Sequence, residues 1–191
     1  SDAAIAQAMT HVILQEHYVN QPNERFINYA KQYTDMPFLI MLDEDENGYK
    51  AGRFLRASDL GQTTEQGEWK PVIHDAISDS LVVPNGTMGQ RWEEGKKWNL
   101  KLETEDGSKI NPTLSMAEGG YELETIQFPY FDSDGDGIFN RPIPTRQVTL
   151  ANGDKVRIAT IFDLMASQYG VRRFDHKLES KGYDDAESKY T

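Results

Sequence analysis

Gln147-Val148-Thr149-Leu150-Ala151-Asn152-Gly153-Asp154-Lys155-Val156-Arg157-Ile158-Ala159-Thr160-Ile161-Phe162-Asp163 contains a strand, a turn, a second strand and the opening of a helix. The Asn152-Gly153 pair suits the positive φ values of hairpin turns, so 147–150 and 155–159 are expected to pair antiparallel. Thr160 and Asp163 have the spacing of a capping box, in which the first side chain accepts from the backbone N–H of the second. The helix they open carries Leu164, Met165 and Tyr169, and Gly170 is placed to stop it.

Upstream, the same two periods alternate. From Ala3 to about Tyr18, Ala4, Ile5, Ala8, Met9, Val12 and Ile13 recur at helical spacing, with Gln7, Thr10, Gln15 and Glu16 mostly on the other side. That predicts an amphipathic helix with its apolar stripe on the core and Asp2 as its cap. Asn20-Gln21-Pro22-Asn23 is a turn, and Asn23 caps a second, antiparallel helix bearing Phe26, Ile27, Ala30 and Tyr33. Phe38 to Leu42 reads as a buried strand whose hairpin partner is Tyr49 to Leu55, and Ser58 reads as the cap of a single helical turn. Further strands are expected at Trp69 to His74, Leu81 to Val83, Trp98 to Thr104 and Tyr121 to Ile126. Helices at both ends with strands between them define an α+β (mixed α/β) fold: terminal helices packed on a small, mainly antiparallel, strand-rich lobe. The helix pattern begins at residue 2 and the chain closes at Glu187 to Thr191 without a helix stop, so the chain reads as cut out of something longer.

The length of 191 residues suits one lobe with a real core. With no cysteine there is no disulfide framework, thiolate nucleophile or cysteine-held metal or cluster in this chain. A net charge of -11 disfavours phosphate backbones, so no nucleic-acid partner is expected. No apolar run approaches the roughly 20 residues that cross a bilayer, so no direct membrane insertion is expected.

Candidate chemistry is sparse. Asp132, Asp134 and Asp136, with Gly137, occupy positions 1, 3, 5 and 6 of a calcium loop. Position 12 is Ile143, where an EF-hand needs a bidentate Glu, and Pro129 and Pro142 oppose flanking helices, so the readings left are a weak calcium loop and a solvated acidic turn. His11, His17, His74 and His176 lack metal-ligand spacing. Asn85-Gly86-Thr87-Met88-Gly89 reads as a turn between strands. Arg53 and Arg56 beside Asp59 read as a loop-organising ion pair or, alternatively, a phosphate clamp. Phe128, Tyr130 and Phe131, and Trp69, Trp92 and Trp98, read as packing residues. No catalytic residue and no metal ligand is assigned.

Asp2-Ala3-Ala4-Ile5-Ala6-Gln7-Ala8-Met9-Thr10-His11-Val12-Ile13 closely resembles the pattern GTDAALAxAMxHVI in the large subunits of molybdopterin oxidoreductases. Tyr33 to Pro37, Gly52-Arg53, Leu55 to Leu60, Pro84 to Gly86, Arg91-Trp92, Lys97 to Leu100, Phe128 to Phe131, Asp163-Leu164, Gln168 to Val171 and Tyr183 to Thr191 follow in order. Together they resemble the alpha subunits of membrane-bound respiratory nitrate reductases.

The resemblance implies an internal fragment, inert alone, of an oxidoreductase that reduces nitrate to nitrite. It implies three parts: a helix pair at 1–36, a strand-rich insertion at 37–175 and a charged segment at 176–191. It further implies molybdenum bis(molybdopterin guanine dinucleotide) and a [4Fe-4S] cluster in the parent enzyme, and none in the isolated fragment. The implied partners are the rest of the alpha subunit, an iron–sulfur beta subunit and a membrane gamma subunit, at the cytoplasmic face of the cell membrane. Asp2 is the one position carried over as a cofactor contact, at the guanine end, with Ser1 where the family has Thr. A carboxylate there accepts hydrogen bonds from a guanine edge, and it serves equally as a helix cap. The alternative functional reading is a non-catalytic interaction lobe that contacts other parts of the alpha or beta subunit.

Overall fold

The computed structural model describes residues 2–86, 101–129 and 138–171. Five strands close on themselves in the order β1 (Leu39–Asp45), β2 (Gly48–Phe54), β5 (Glu122–Pro129), β6 (Ile138–Thr149) and β7 (Lys155–Thr160). β3 (Ile73–Asp75) and β4 (Ser80–Val82) form a separate two-stranded ribbon. The helices are α1 (Asp2–Leu14), continued by a π-helical turn over Gln15–Asn20, then α2 (Glu24–Tyr33) and α3 (Ile161–Gln168). The fold is α+β, and every barrel pairing is antiparallel except β2 with β5.

β1 shows why a continuous apolar run was needed. Leu39 and Met41 face one buried cluster with Leu55, Val72, Met116 and Ile158, while Ile40 and Leu42 face another with Ile126, Phe128, Ile143 and Ala159. Successive side chains of a strand point to opposite faces, so a strand buried on both sides has no polar alternation to show. A third cluster joins the helices: Leu14, Tyr18 and Ala30 meet Leu114, Phe162, Ala166 and Val171.

Local signals hold where the chain alone decides. Asn23 Oδ1 accepts from the N–H groups of Arg25 and Phe26, at 2.9 and 3.3 Å. Thr160 Oγ1 accepts from Asp163 N at 3.0 Å, and Gly170 ends α3 at φ +72°. The β6–β7 hairpin forms with Thr149 opposite Lys155, but of the Asn-Gly pair only Gly153 has positive φ, +91°. The loop is therefore wider than a two-residue turn: Gly153 N donates to Leu150 O and Leu150 N donates to Asp154 O.

Elsewhere the structure corrects the reading. The single turn at Ala57–Leu60 is 3₁₀ and is capped two residues earlier than expected, at Arg56 instead of Ser58, because Asp59 Oδ2 accepts from Arg56 N. The strand expected from Trp69 shrinks to Ile73–Asp75, and Trp69 is 59% exposed, not a packing anchor. Residues 101–104 make only isolated bridges. β6 begins well before Gln147; its Pro142 and Pro144 pair with β5 in the stretch that has no β7 partner, where a missing N–H is tolerated.

Barrel closure depends on Gly48. Its φ of +130° disfavours any side chain, and a Cβ there would lie 2.5 Å from the Thr125 carbonyl oxygen, next to the parallel contact Tyr49–Ile126. Gly48→Ala is expected to cost about 2 kcal/mol or more in urea unfolding, since both the backbone conformation and the strand approach oppose it.

Candidate functional site

Asp2 lies in the exposed first turn of α1, and its carboxylate has no hydrogen-bond partner among the described residues. α1 meets the body through one face. His11 Nδ1 donates to the Tyr169 carbonyl at 2.5 Å, Leu14 is buried, and Tyr18 stands edge-on to Phe162 with ring centroids 4.4 Å apart. The sequence stripe faces the other way: Ile5, Met9, Val12 and Ile13 are 62, 59, 55 and 42% exposed. The expectation that this stripe lies on the core of the lobe is therefore overturned.

Arg53, Arg56 and Asp59 come together as an ion pair that organises a loop. Arg53 Nη1 and Nη2 donate to Asp59 Oδ2 and Oδ1 at 2.8 and 2.6 Å, while Arg56 Nη1 donates to the Trp69 carbonyl at 2.7 Å. The Arg53 hydrogen bonds hold the Asp59 carboxyl below its ordinary range, against the opposing effect of burial. With the Arg53 fork taken by Asp59 and Arg56 bonded to the Trp69 carbonyl, the geometry is that of the loop-organising ion pair.

A polar cluster centred on the buried His74 and reaching the exposed Asp79 joins the β3–β4 ribbon to β6 without any sequence signal, since its members are scattered along the chain. His74 Nδ1 lies 2.7 Å from Thr113 Oγ1, and Nε2 lies 2.8 Å from Arg146 Nη1 and 2.9 Å from Asp79 Oδ1. Burial first, and then Arg146, depress the His74 pKa, against the pull of Asp79 and Asp75. Arg146 Nη1 also donates to Asp79 Oδ1 at 3.2 Å, so the imidazole, the guanidinium and the carboxylate form one network. With Thr113 on one ring nitrogen and Arg146 and Asp79 on the other, both nitrogens are taken by protein groups, and the cluster is a structural latch. Next to it, burial pushes the Asp75 carboxyl up, but bonds from Ser78, Asn111 and Ile77 outweigh that and leave it lowered.

Asp163 is the other buried ionisable group. Its Oδ2 accepts from Met116 N at 2.8 Å, whereas Oδ1 has no hydrogen-bond partner. Complete burial pushes its pKa up to about 7, although the Ser115 and Thr160 hydroxyls and the Met116 N–H favour the charged form.

Asp132, Asp134 and Asp136, together with Thr87 to Gly89, Trp92, Trp98, Tyr130, Phe131 and His176, lie outside the described residues. Phe128 is buried in the barrel core, as expected. β5 and β6 flank the acidic stretch as strands, with Pro129 opposite Ile138. Among the described residues no three His, Asp or Glu side chains are grouped to hold a metal, and no helix is long and apolar enough to cross a membrane.

No family model matches the chain. It is 46% identical over 188 residues to the nitrate reductase alpha chain of Bacillus subtilis strain 168, covering 98% of this chain and 15% of that one. It is 36% identical over 202 residues to the respiratory nitrate reductase 1 alpha chain of Escherichia coli K12, covering 98% of this chain and 16% of that one. Against the nitrate reductase alpha subunit of Mycobacterium tuberculosis H37Rv the identity is 39% over 182 residues, 91% of this chain and 14% of the relative. The chain thus spans about 15% of the length of these relatives. Over nearly its whole length the chain aligns with one stretch of each of these nitrate reductase alpha chains, a similarity consistent with an internal segment of such a subunit.

Proposed function

We propose that this chain is a structural segment of the catalytic alpha subunit of a respiratory nitrate reductase, which reduces nitrate to nitrite, and that the segment is inert alone. The observation that carries this reading is the match of 98% of the chain, at 46% identity, to only 15% of an alpha chain. In the parent, a molybdenum bis(molybdopterin guanine dinucleotide) supplies the two-electron reduction of nitrate, and a [4Fe-4S] cluster feeds it. The parent works with an iron–sulfur beta subunit and a membrane gamma subunit at the cytoplasmic face of the membrane.

The residues present do not fit the cluster, because the chain has no cysteine to hold it. They fit one edge of the nucleotide. The exposed Asp2 carboxylate, with no described partner, can accept from the N1–H and exocyclic amine of a guanine, and its place in the first turn of α1 lets it complement the helix dipole as well. The segment's contribution is to hold that carboxylate on a rigid helix, fixed to the body by Leu14, Tyr18 and the His11–Tyr169 hydrogen bond.

Purified as the 191-residue chain, the protein is expected to carry far less than stoichiometric molybdenum by elemental mass spectrometry. It is also expected to show no nitrate-dependent oxidation of reduced viologen. Stoichiometric molybdenum would contradict the proposal.

A further inference from the structure

α1 is apolar on the side that faces away from its own lobe. Residues 7, 11, 14 and 18 follow one helical face and make the contact with the body, through His11, Leu14 and Tyr18. Residues 5, 9, 12 and 13 follow the opposite face, and Ile5, Met9, Val12 and Ile13 stand in solvent there. Single exposed apolar side chains are ordinary, but a stripe of four at helical spacing marks a surface built to be covered. From Ala3 to Gln15 there is no Asp, Glu, Lys or Arg, in a chain that is 27% charged. Depletion of charge is the signature of an interface core.

We infer that the Ile5–Met9–Val12–Ile13 face of α1 is a docking surface within the alpha subunit, covered by an apolar surface of the remainder of that same polypeptide. This rests on the reading of the chain as a segment of a nitrate reductase alpha chain, and it names the face and the occupant. The occupant follows from length and charge. The chain spans 15% of its relatives, so on that reading most of an alpha chain lies outside it and offers a covalently linked surface large enough to cover α1. A membrane surface is the poorer fit, since interfacial helices carry Lys and Arg on their polar face and residues 1–20 contain neither.

The absence of cysteine makes the test direct, because a single introduced thiol is the only one in the 191-residue chain. Val12→Cys, and Met9→Cys as a second and independently folding variant, are made both in this chain and in the full reading frame that contains it. Alkylation at the introduced site is followed by mass spectrometry of its peptide, and the nitrate-linked viologen activity of the full-length preparation is measured alongside. Both thiols are expected to react freely in the 191-residue chain and about 100-fold more slowly in an active full-length subunit, where labelling must await local opening. Equal rates in an active full-length subunit overturn the docking face and leave the family reading standing. An unsubstituted full reading frame without nitrate reductase activity overturns the proposed function on which the inference rests. Protection of the 191-residue chain by vesicles of phosphatidylethanolamine and phosphatidylglycerol overturns the inference in favour of a membrane surface, and protection that rises with the chain's own concentration overturns it in favour of a second copy.

Discussion

Replacing Phe162 with alanine is expected to lower the unfolding free energy of the 191-residue chain by about 3–5 kcal/mol, the range for deleting a buried aromatic ring. The ring is fully buried and lies where three elements meet: α3 carries it, Tyr18 packs edge-on against it at 4.4 Å, and Leu14, Ala30 and Leu114 complete the cluster. Its own backbone N–H donates to the Met36 carbonyl at 2.9 Å, which fixes the entry to α3 and limits how far the site can collapse. The edge-on pair with Tyr18 adds to the loss. Urea unfolding of wild type and Phe162→Ala checks this, with Ile5→Ala as a comparison expected to fall within about 0.5 kcal/mol because Ile5 touches solvent in this chain. A loss below about 1 kcal/mol at Phe162 would mean that α1 is not docked on α3 as described.

The second large effect is tied to pH. The folded-state pKa of Asp163 is raised to about 7 from an ordinary value of 3.8, chiefly by burial. A group raised on folding binds its proton more tightly in the native state, so its stabilising contribution is complete below pH 3.8 and is lost progressively up to about pH 7. At 1.36 kcal/mol per pH unit the loss is on the order of 4 kcal/mol. Carboxylates whose pKa is lowered on folding, such as Asp59 and Asp75, contribute in the opposite direction, and a difference between variants removes them. Asp163→Asn keeps an acceptor for Met116 N and offers an amide to the Ser115 and Thr160 hydroxyls. Its stability relative to wild type is therefore expected to rise between pH 4 and pH 7 and then to level off. A wild-type-minus-variant difference that is flat across that window would show that Asp163 does not titrate there.

How much of this was legible depended on how local each decision was. The cap at Asn23, the Thr160 cap and the Gly170 stop each require only a few neighbouring residues, and each formed as read. β1 was legible because burial on both faces writes itself as an unbroken apolar run. The first half of β6 was not, since Pro142 and Pro144 argue against a strand until one sees that the stretch pairs on one side only. The closing contact of β2 with β5 brings Gly48 against Thr125, far away in sequence, and a glycine before a strand does not announce which backbone it admits. The same holds for the site. The His74–Arg146–Asp79 latch is assembled from β3, the turn after it and β6, and no spacing rule links them. The apolar period of α1 was plain in the sequence, but period alone cannot tell a helix which neighbour its stripe will meet. The structure gives that stripe to solvent and docks the helix through His11, Leu14 and Tyr18 instead.

The central claim, that this chain is a non-catalytic segment of a nitrate reductase alpha subunit, is tested most directly by the size of the polypeptide that carries it in the source cells. An antibody raised against the 191-residue chain is used to probe fractions from cells grown on nitrate. The expected result is a single band several times heavier than the 21.7 kDa of this chain, eluting with nitrate-dependent oxidation of reduced viologen. A band at 21.7 kDa that separates from that activity would contradict the account.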